Sequence, residues 1–291
     1  MKIGVHGKEF TRQSAPFIQR IFEILTQHRA ELYVSTKFAS LLKQSAFKNF
    51  KWETYEPTDS LKSLQLLISI GGDGTLLESV SHIGKTEIPV LGINTGRLGF
   101  LATISSEETE RALELVMKRS FTLDKRAVLR LETNQGIFGK LNFALNDFTV
   151  VKKDTSAMIT IHTFIDGEFL NSYWADGIIV STPTGSTGYS LSCGGPLIFP
   201  RSGNFVLTPV SPHNLAVRPI IVSDTSEISF QVDGRSKKFL VSLDSRIATV
   251  DNTVKLTVKK ADFIVNLIQL EGHHYFKTLR QKLNWGLDIR N

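Results

Sequence analysis

The chain reads as an α/β amino-terminal domain followed by a β-rich second domain, and three observations carry that reading. Short apolar runs of strand length alternate with helix-like segments over the first 120 or so residues, the pattern of a parallel sheet with its crossovers. Between about Arg126 and Lys260 no long helical periodicity occurs, while runs rich in Val, Ile and Phe recur. From Tyr275 to Leu283 the pattern turns helical and amphipathic again.

Taken in order, Lys2 to His6 reads as a first strand. A helix follows from about Ser14, with Phe17, Ile18, Ile21, Phe22 and Leu25 on one face and Pro16 tolerable in its first turn. Ala30 to Val34 is a second strand, and Phe38, Leu41 and Leu42 suggest a short helix. Leu66 to Ile70 is an apolar run that ends abruptly in Gly71-Gly72-Asp73-Gly74-Thr75, and a helix follows through about Ile83. Ile88 to Ile93 is the next strand, ending in a second glycine-rich turn, Gly92-Ile93-Asn94-Thr95-Gly96-Arg97-Leu98-Gly99-Phe100-Leu101. Ser105 and Glu108 have capping-box spacing before a helix expected to run to about Arg119. In the second half, Val128–Leu131, Phe148–Val151, Met158–Ile165, Ile178–Val180, Ile220–Val222, Ile228–Val232, Phe239–Leu243 and Val254–Val258 read as strands. Asp166-Gly167 and Asp233-Gly234 read as hairpin turns.

In open α/β sheets the ligand crevice lies at the carboxyl ends of the strands, so Asp73 belongs at its mouth. Glycines on either side permit close approach of a phosphate, and the helix opening near Thr75 favours anions. Two familiar phosphate loops are excluded. A dinucleotide fingerprint from Gly72 and Gly74 fails at Leu77, and Gly84-Lys85-Thr86 has Ser79 where a P-loop needs its leading glycine. The run Ser181-Thr182-Pro183-Thr184-Gly185-Ser186-Thr187-Gly188-Tyr189-Ser190-Leu191-Ser192-Cys193-Gly194-Gly195-Pro196 offers backbone amides and hydroxyls suited to ribose and phosphate oxygens. Its Gly185-Ser186-Thr187-Gly188 lacks the spacing of a hydrolase elbow. Asn146-Asp147 pairs an amide with a carboxylate, suited to an adenine edge and a ribose. His213 is a candidate base or a structural histidine; His273-His274 lack metal-ligand spacing.

Composition bounds the partners. With 291 residues and 41% hydrophobic content, two domains can each bury a core. The net charge of +6 suits an anionic ligand, but no run exceeds two basic residues, which argues against a nucleic-acid tract. No segment reaches membrane-spanning length, Cys193 is the sole cysteine and is expected to be a small packed residue, and the amino terminus carries no cleavage pattern; a cytoplasmic location is expected.

Together, Gly71 to Thr75, Gly92-Ile93-Asn94 through Gly99-Phe100-Leu101, Asn146-Asp147, and Asp176-Gly177 through Thr184-Gly185-Ser186-Thr187-Gly188-Tyr189 to Gly194-Gly195-Pro196 resemble the NAD kinase family, in the family's order; the ending Leu283-Asn284-Trp285-Gly286 resembles it as well. The first motif is shared with the diacylglycerol and sphingosine kinases; the last of the four is far more specific. The resemblance implies the two-domain fold with a carboxyl-terminal segment returning to the first domain, expected as residues 1–124 with 262–291 and a β-rich NAD-binding domain over 125–261. It implies transfer of the ATP γ-phosphate to the 2′-hydroxyl of the adenosine ribose of NAD, with ATP as donor and a divalent metal, Mg2+, whose ligands are not assigned. It also implies a homo-oligomer, often a tetramer. Carried over by position, Asp73 is the catalytic aspartate, accepting the 2′-hydroxyl proton or orienting that hydroxyl, and with Gly74 it lies against the NAD. Asn146 and Asp147 bind the adenosine side, and Asp176 holds the nicotinamide end. Thr187, Gly188, Tyr189, Ser190, Leu191 and Ser192 line the adenine and ribose pocket, and Ser211 contributes through its backbone. Asp244-Ser245-Arg246 resembles an Asp-Gly/Ser-Gln motif with arginine in place of glutamine, which places Arg246 among the expected NAD-binding residues, and Asp147 stands where many members have glutamate. The rival readings are a lipid kinase of the same superfamily and a dinucleotide-binding sensor without catalysis.

Overall fold

The computed structural model describes residues 1–42, 47–57, 59, 61–153 and 157–286. Its chain divides into two compact units, Met1–Lys125 with Val265–Asn291, and Arg126–Ile264.

The first unit contains β1 (Lys2–Gly7), α1 (Ala15–Gln27), β2 (Glu31–Ser35), α2 (Thr36–Leu41), β3 (Glu53–Tyr55), β4 (Leu66–Ile70), α3 (Asp73–Ile83), β5 (Val90–Ile93) and α4 (Thr109–Met117). Its strands lie in the order β5-β4-β1-β2-β3, all parallel. β4 is buried at every position and β5 likewise, because helices cover both faces of such a sheet. The chain order reverses between β1 and β4, so the turns that follow these two strands flank the topological switch point. α1 places Ile18, Ile21, Phe22, Ile24 and Leu25 in the core, each burial contributing about 1.5–3 kcal/mol before entropy is counted. Ser35 caps α2 by accepting the Phe38 N–H. The Ser105–Glu108 pair forms, Ser105 Oγ donating to Glu108 at 3.2 Å, but regular helix begins only at Thr109.

The second unit is built from β6 (Thr122–Thr133), β7 (Phe143–Ala144), β8 (Asp147–Lys152), β9 (Ile159–Ile165), β10 (Glu168–Ala175), β11 (Gly177–Ser181), a single turn α5 (Tyr189–Ser192), β12 (Asn204–Val210), β13 (Ile220–Ser223), β14 (Ile228–Gly234), β15 (Lys238–Leu243), β16 (Arg246–Asp251) and β17 (Leu256–Gln269). The last residues of β17, followed by α6 (Tyr275–Leu283), belong to the first unit, where Leu267 pairs with Val90. One antiparallel layer runs β10-β9-β14-β17 and the other β13-β12-β11-β8-β15-β16. Residues from both layers form one core, with Phe148 stacked on Phe230 at 5.5 Å between ring centroids.

The Asp166-Gly167 turn joins β9 to β10 with both residues at positive φ, as a two-residue hairpin loop requires. Asp233-Gly234 is different. Both residues are still paired with β9, and the chain then passes to β15 in the other layer, so no hairpin forms there. β3, β7, β10, β12 and β16 have no counterpart among the strands expected from sequence.

Candidate functional site

In the first unit the site grows from the end of β4. Gly71 sits at φ 150°, and a side chain there would meet Thr75 Oγ1 at 2.4 Å. Its N–H donates to the Ile93 carbonyl and so ties this turn to β5. The turn delivers Asp73 to the first turn of α3, half-buried. Asp73 does not project alone into solvent. Its Oδ2 accepts the Phe100 N–H at 2.8 Å, and its Oδ1 accepts those of Leu101 and Ala102, each at 2.9 Å. The two glycine-rich turns are thus joined through one carboxylate. Gly99 makes this possible, since a Cβ there would lie 1.9 Å from Asp73 Oδ1. A carboxylate offers about four acceptor directions, and three are taken, which leaves one on Oδ2.

Gly72 and Gly74 have no such internal reason to be glycine. A Cβ at either would meet nothing within 4 Å. Gly74 even sits within α3, where glycine costs about 0.5–1 kcal/mol relative to alanine. In the second turn, Asn94 accepts the Gly96 N–H and donates to the Arg97 carbonyl, which fixes the loop. A cleft of about 440 Å³ lies between this turn and α6, lined by Asn94, Leu98, Glu108, His273, Lys277 and Gln281.

In the second unit Asn146 and Asp147 stand at the start of β8. The backbone N–H groups of Leu145, Asn146 and Asp147 all donate to the buried carboxylate of Asp244, which itself sits at φ 52°. Arg246 braces this clamp: its guanidinium lies 3.7 Å from Asp244 and donates to the carbonyls of Leu141 and Phe143. The Asn146 carbonyl accepts the Thr182 N–H, and a Cβ on Gly185 would come within 2.2 Å of it. The hydroxyl-rich loop therefore packs directly on the Asn146 peptide. Gly188 lies 3.7 Å from Asn146 Nδ2 and 3.9 Å from Asp147 Oδ2, measured from where its Cβ would be.

Asn146 Oδ1 is buried and accepts no hydrogen bond from the described residues, a costly arrangement that calls for an explanation. The Asp147 side chain beside it is 7% exposed, and burial, then the nearby Asp244 charge, pushes its carboxyl up to about 7.

The other candidates are spread along the same unit. Thr187 Oγ1 donates to the Thr184 carbonyl, Ser190 Oγ hydrogen-bonds Thr208 at 2.8 Å, Leu191 is half-buried, and Tyr189 and Ser192 are exposed. Asp176 pairs with Lys152 at 2.6 Å. Ser211 is exposed at φ 45°, just beyond β12. His213 lies with its ring 4.3 Å from that of Trp174. Sequence reasoning assigned no part to Gly99 or to the Asp244 clamp. Asp244 lay in a quoted motif, but which amides it holds depends on a contact nearly a hundred residues away.

The first unit matches the family model described as "ATP-NAD kinase N-terminal domain" over residues 3–121, and residues 145–270 match "ATP-NAD kinase C-terminal domain". The chain is 50% identical over 293 residues to an NAD kinase of Cytophaga hutchinsonii and 48% identical over 296 residues to one of Flavobacterium psychrophilum, covering the whole of both sequences in each case. Among solved structures it resembles yeast NADH kinase complexed with NADH, with a TM-score of 0.87, 22% identity, and coverage of 99% of this chain and 88% of that one; that likeness is one of fold. It also resembles an NAD kinase from Archaeoglobus fulgidus in complex with ATP, with a TM-score of 0.77, 25% identity, and coverage of 98% and 99%. With both halves matched by kinase models and full-length relatives at about half identity, the chain belongs to the NAD kinase family.

Proposed function

We propose that this chain transfers the γ-phosphate of ATP to the 2′-hydroxyl of the adenosine ribose of NAD, forming NADP. The observation that carries this reading is the carboxylate of Asp73, fixed by three backbone amides beside two glycines with open space around them. Phosphoryl transfer asks for positioning and charge neutralisation more than for covalent chemistry. With one acceptor direction left on Oδ2, Asp73 takes a hydrogen bond from the attacking hydroxyl and aligns it. Gly72 and Gly74 let phosphates and ribose come against the backbone, where the start of α3 favours negative charge.

On the second unit, the unpartnered Asn146 Oδ1 is a group that an adenosine would satisfy, with the Asp147 carboxyl beside it, Thr187 to Ser192 lining the pocket and the Ser211 backbone contributing as well. Asp176, held by Lys152, faces the nicotinamide end. Arg246 acts through the Asp244 clamp, since its donors are spent on carbonyls of its own chain. Asp73 is the sole carboxylate of the two turns and its one remaining acceptor direction goes to the hydroxyl, so a magnesium ion would be held mainly by the substrate phosphates and its own water, where it would supply neutralisation of phosphate charge. A cytoplasmic homo-oligomer, up to a tetramer, completes the proposal; sedimentation checks the assembly.

The test is incubation of purified protein with NAD, ATP and Mg2+, reading NADP, with diacylglycerol and a sphingoid base as control acceptors. Asp73→Asn should remove most of the turnover while calorimetry still detects NAD binding. Near-parental turnover in that variant refutes the role given to Asp73.

A further inference from the structure

Away from the Asp73 turn, the first unit holds a cluster that the proposed reaction does not use. His6 on β1 and Glu78 and His82 on α3 bring one ligand atom each within 4.8 Å of one another. Glu78 and His82 are four residues apart, so they share a face of α3. His6 is fully buried and His82 nearly so, while the Glu78 side chain is 25% exposed and opens the cluster to solvent.

The hydrogen bonds around the cluster select the same ring atoms. His6 Nδ1 is paired with Ser35 Oγ at 2.8 Å, and His82 Nδ1 with Tyr55 Oη at 3.2 Å. Metal-binding histidines generally have their second nitrogen held in this way, which fixes the tautomer and leaves a lone pair on the other nitrogen. His6 Nε2 has no hydrogen-bond partner in its buried position and lies 3.8 Å from Glu78 Oε1. Ser69, paired with His6 across the β1–β4 ladder, is a second buried side chain there with an unpartnered oxygen.

We infer that His6, Glu78 and His82 form a site for a zinc-class divalent cation, distinct from the magnesium that accompanies the nucleotide. Two imidazole nitrogens and one carboxylate oxygen are a donor set that suits zinc and leaves a further position for water. Magnesium, which wants oxygen ligands, is poorly matched to it. Tetrahedral zinc needs its ligand atoms about 3.3 Å apart, so ligand atoms that lie within 4.8 Å of one another close by up to about 1.5 Å on binding. The flexible, partly exposed Glu78 can make that movement. Two ammonium groups compete with the ion: Lys37 and Lys8 each sit 3.0 Å from a Glu78 oxygen. Lys37, its side chain 65% exposed, is free to swing into water, while Lys8, 42% exposed, also donates to the Gly74 carbonyl at 3.4 Å.

The experiment uses the full chain without a histidine tag and titrates it with Co2+ as a spectroscopic probe, then displaces the probe with Zn2+ in a large excess of Mg2+. One Co2+ per chain, with the intense visible absorption of a low-coordinate nitrogen–oxygen site and displacement by Zn2+ but not Mg2+, is the expected result. Glu78→Gln, at a partly exposed position that should fold normally, and His82→Gln should each weaken binding at least tenfold. Ser35→Ala should weaken it about tenfold by freeing the His6 ring. Lys37→Ala should tighten it several-fold, since it removes a competitor for the carboxylate; a purely structural cluster has no reason to respond in that direction. Absence of stoichiometric Co2+ and Zn2+ binding to the folded parent protein overturns the inference. So does binding that is unchanged in both Glu78→Gln and His82→Gln.

Discussion

Gly99 has no side chain of its own, and that absence is a condition of Asp73's position. A methyl group at residue 99 would lie 1.9 Å from Asp73 Oδ1 and 2.7 Å from Cγ. Ordinary contact is about 3.4 Å or more, so in Gly99→Ala the carboxylate must retreat by roughly 1.5 Å. It then leaves the amides of Phe100, Leu101 and Ala102, which are bound at 2.8, 2.9 and 2.9 Å. Hydrogen bonds to a charged group contribute about 1.5–3 kcal/mol each. Because Asp73 is only half-buried and water replaces part of each bond, about 1 kcal/mol apiece is the fair figure, or about 3 kcal/mol in all. If that energy serves to hold the carboxylate where the hydroxyl arrives, kcat should fall about 100-fold. The assay is steady-state NADP formation, with NAD affinity measured separately by calorimetry. Gly96→Ala is the matched control: a Cβ at Gly96 meets only Asn94 Oδ1, at 3.9 Å, so that variant should stay near parental activity. Equal turnover in Gly99→Ala and Gly96→Ala refutes the reasoning.

Two further outcomes are expected. Gly74→Ala should stabilise α3 by about 0.5–1 kcal/mol, visible as a raised urea midpoint, while NADP formation falls, because the space beside Gly74 is kept for substrate and not for the fold; a rise in both would contradict that division. Asp147 has its carboxyl pushed up to about 7 by burial and then by Asp244, so the folded chain keeps a proton that the unfolded chain releases near pH 4. The associated stability is full in acid and is lost as pH rises through about 7, a cost of about 4 kcal/mol above that point. Asp147→Asn should therefore flatten the decline in unfolding free energy between about pH 4 and about pH 7, and an unchanged decline in urea melts would exclude Asp147 as its source.

Local chemistry and tertiary contact divide this protein cleanly at particular residues. The run Leu66–Ile70 closed by glycines, the helix Tyr275–Leu283 and the Asp166-Gly167 loop were legible because each is fixed by periodicity or turn chemistry within a few residues. β12 was not, since Pro209 interrupts its strand signal, and β17 was followed only to Val258 because charged Lys259, Lys260 and Asp262 break its apolar pattern. Asp233-Gly234 carried a hairpin signal that tertiary pairing overrode, as the strands on either side of it belong to different layers. The sequence alone determined which residue types lie at the carboxyl ends of the strands, and with them the family. It could not determine that Gly99 opens room for Asp73, that Asp244 holds the amides of Leu145, Asn146 and Asp147, or that His6 meets Glu78 and His82. Each of those depends on a contact between segments 26 to 99 residues apart, and side-chain spacing along the chain carries no information about which distant backbone will arrive beside it.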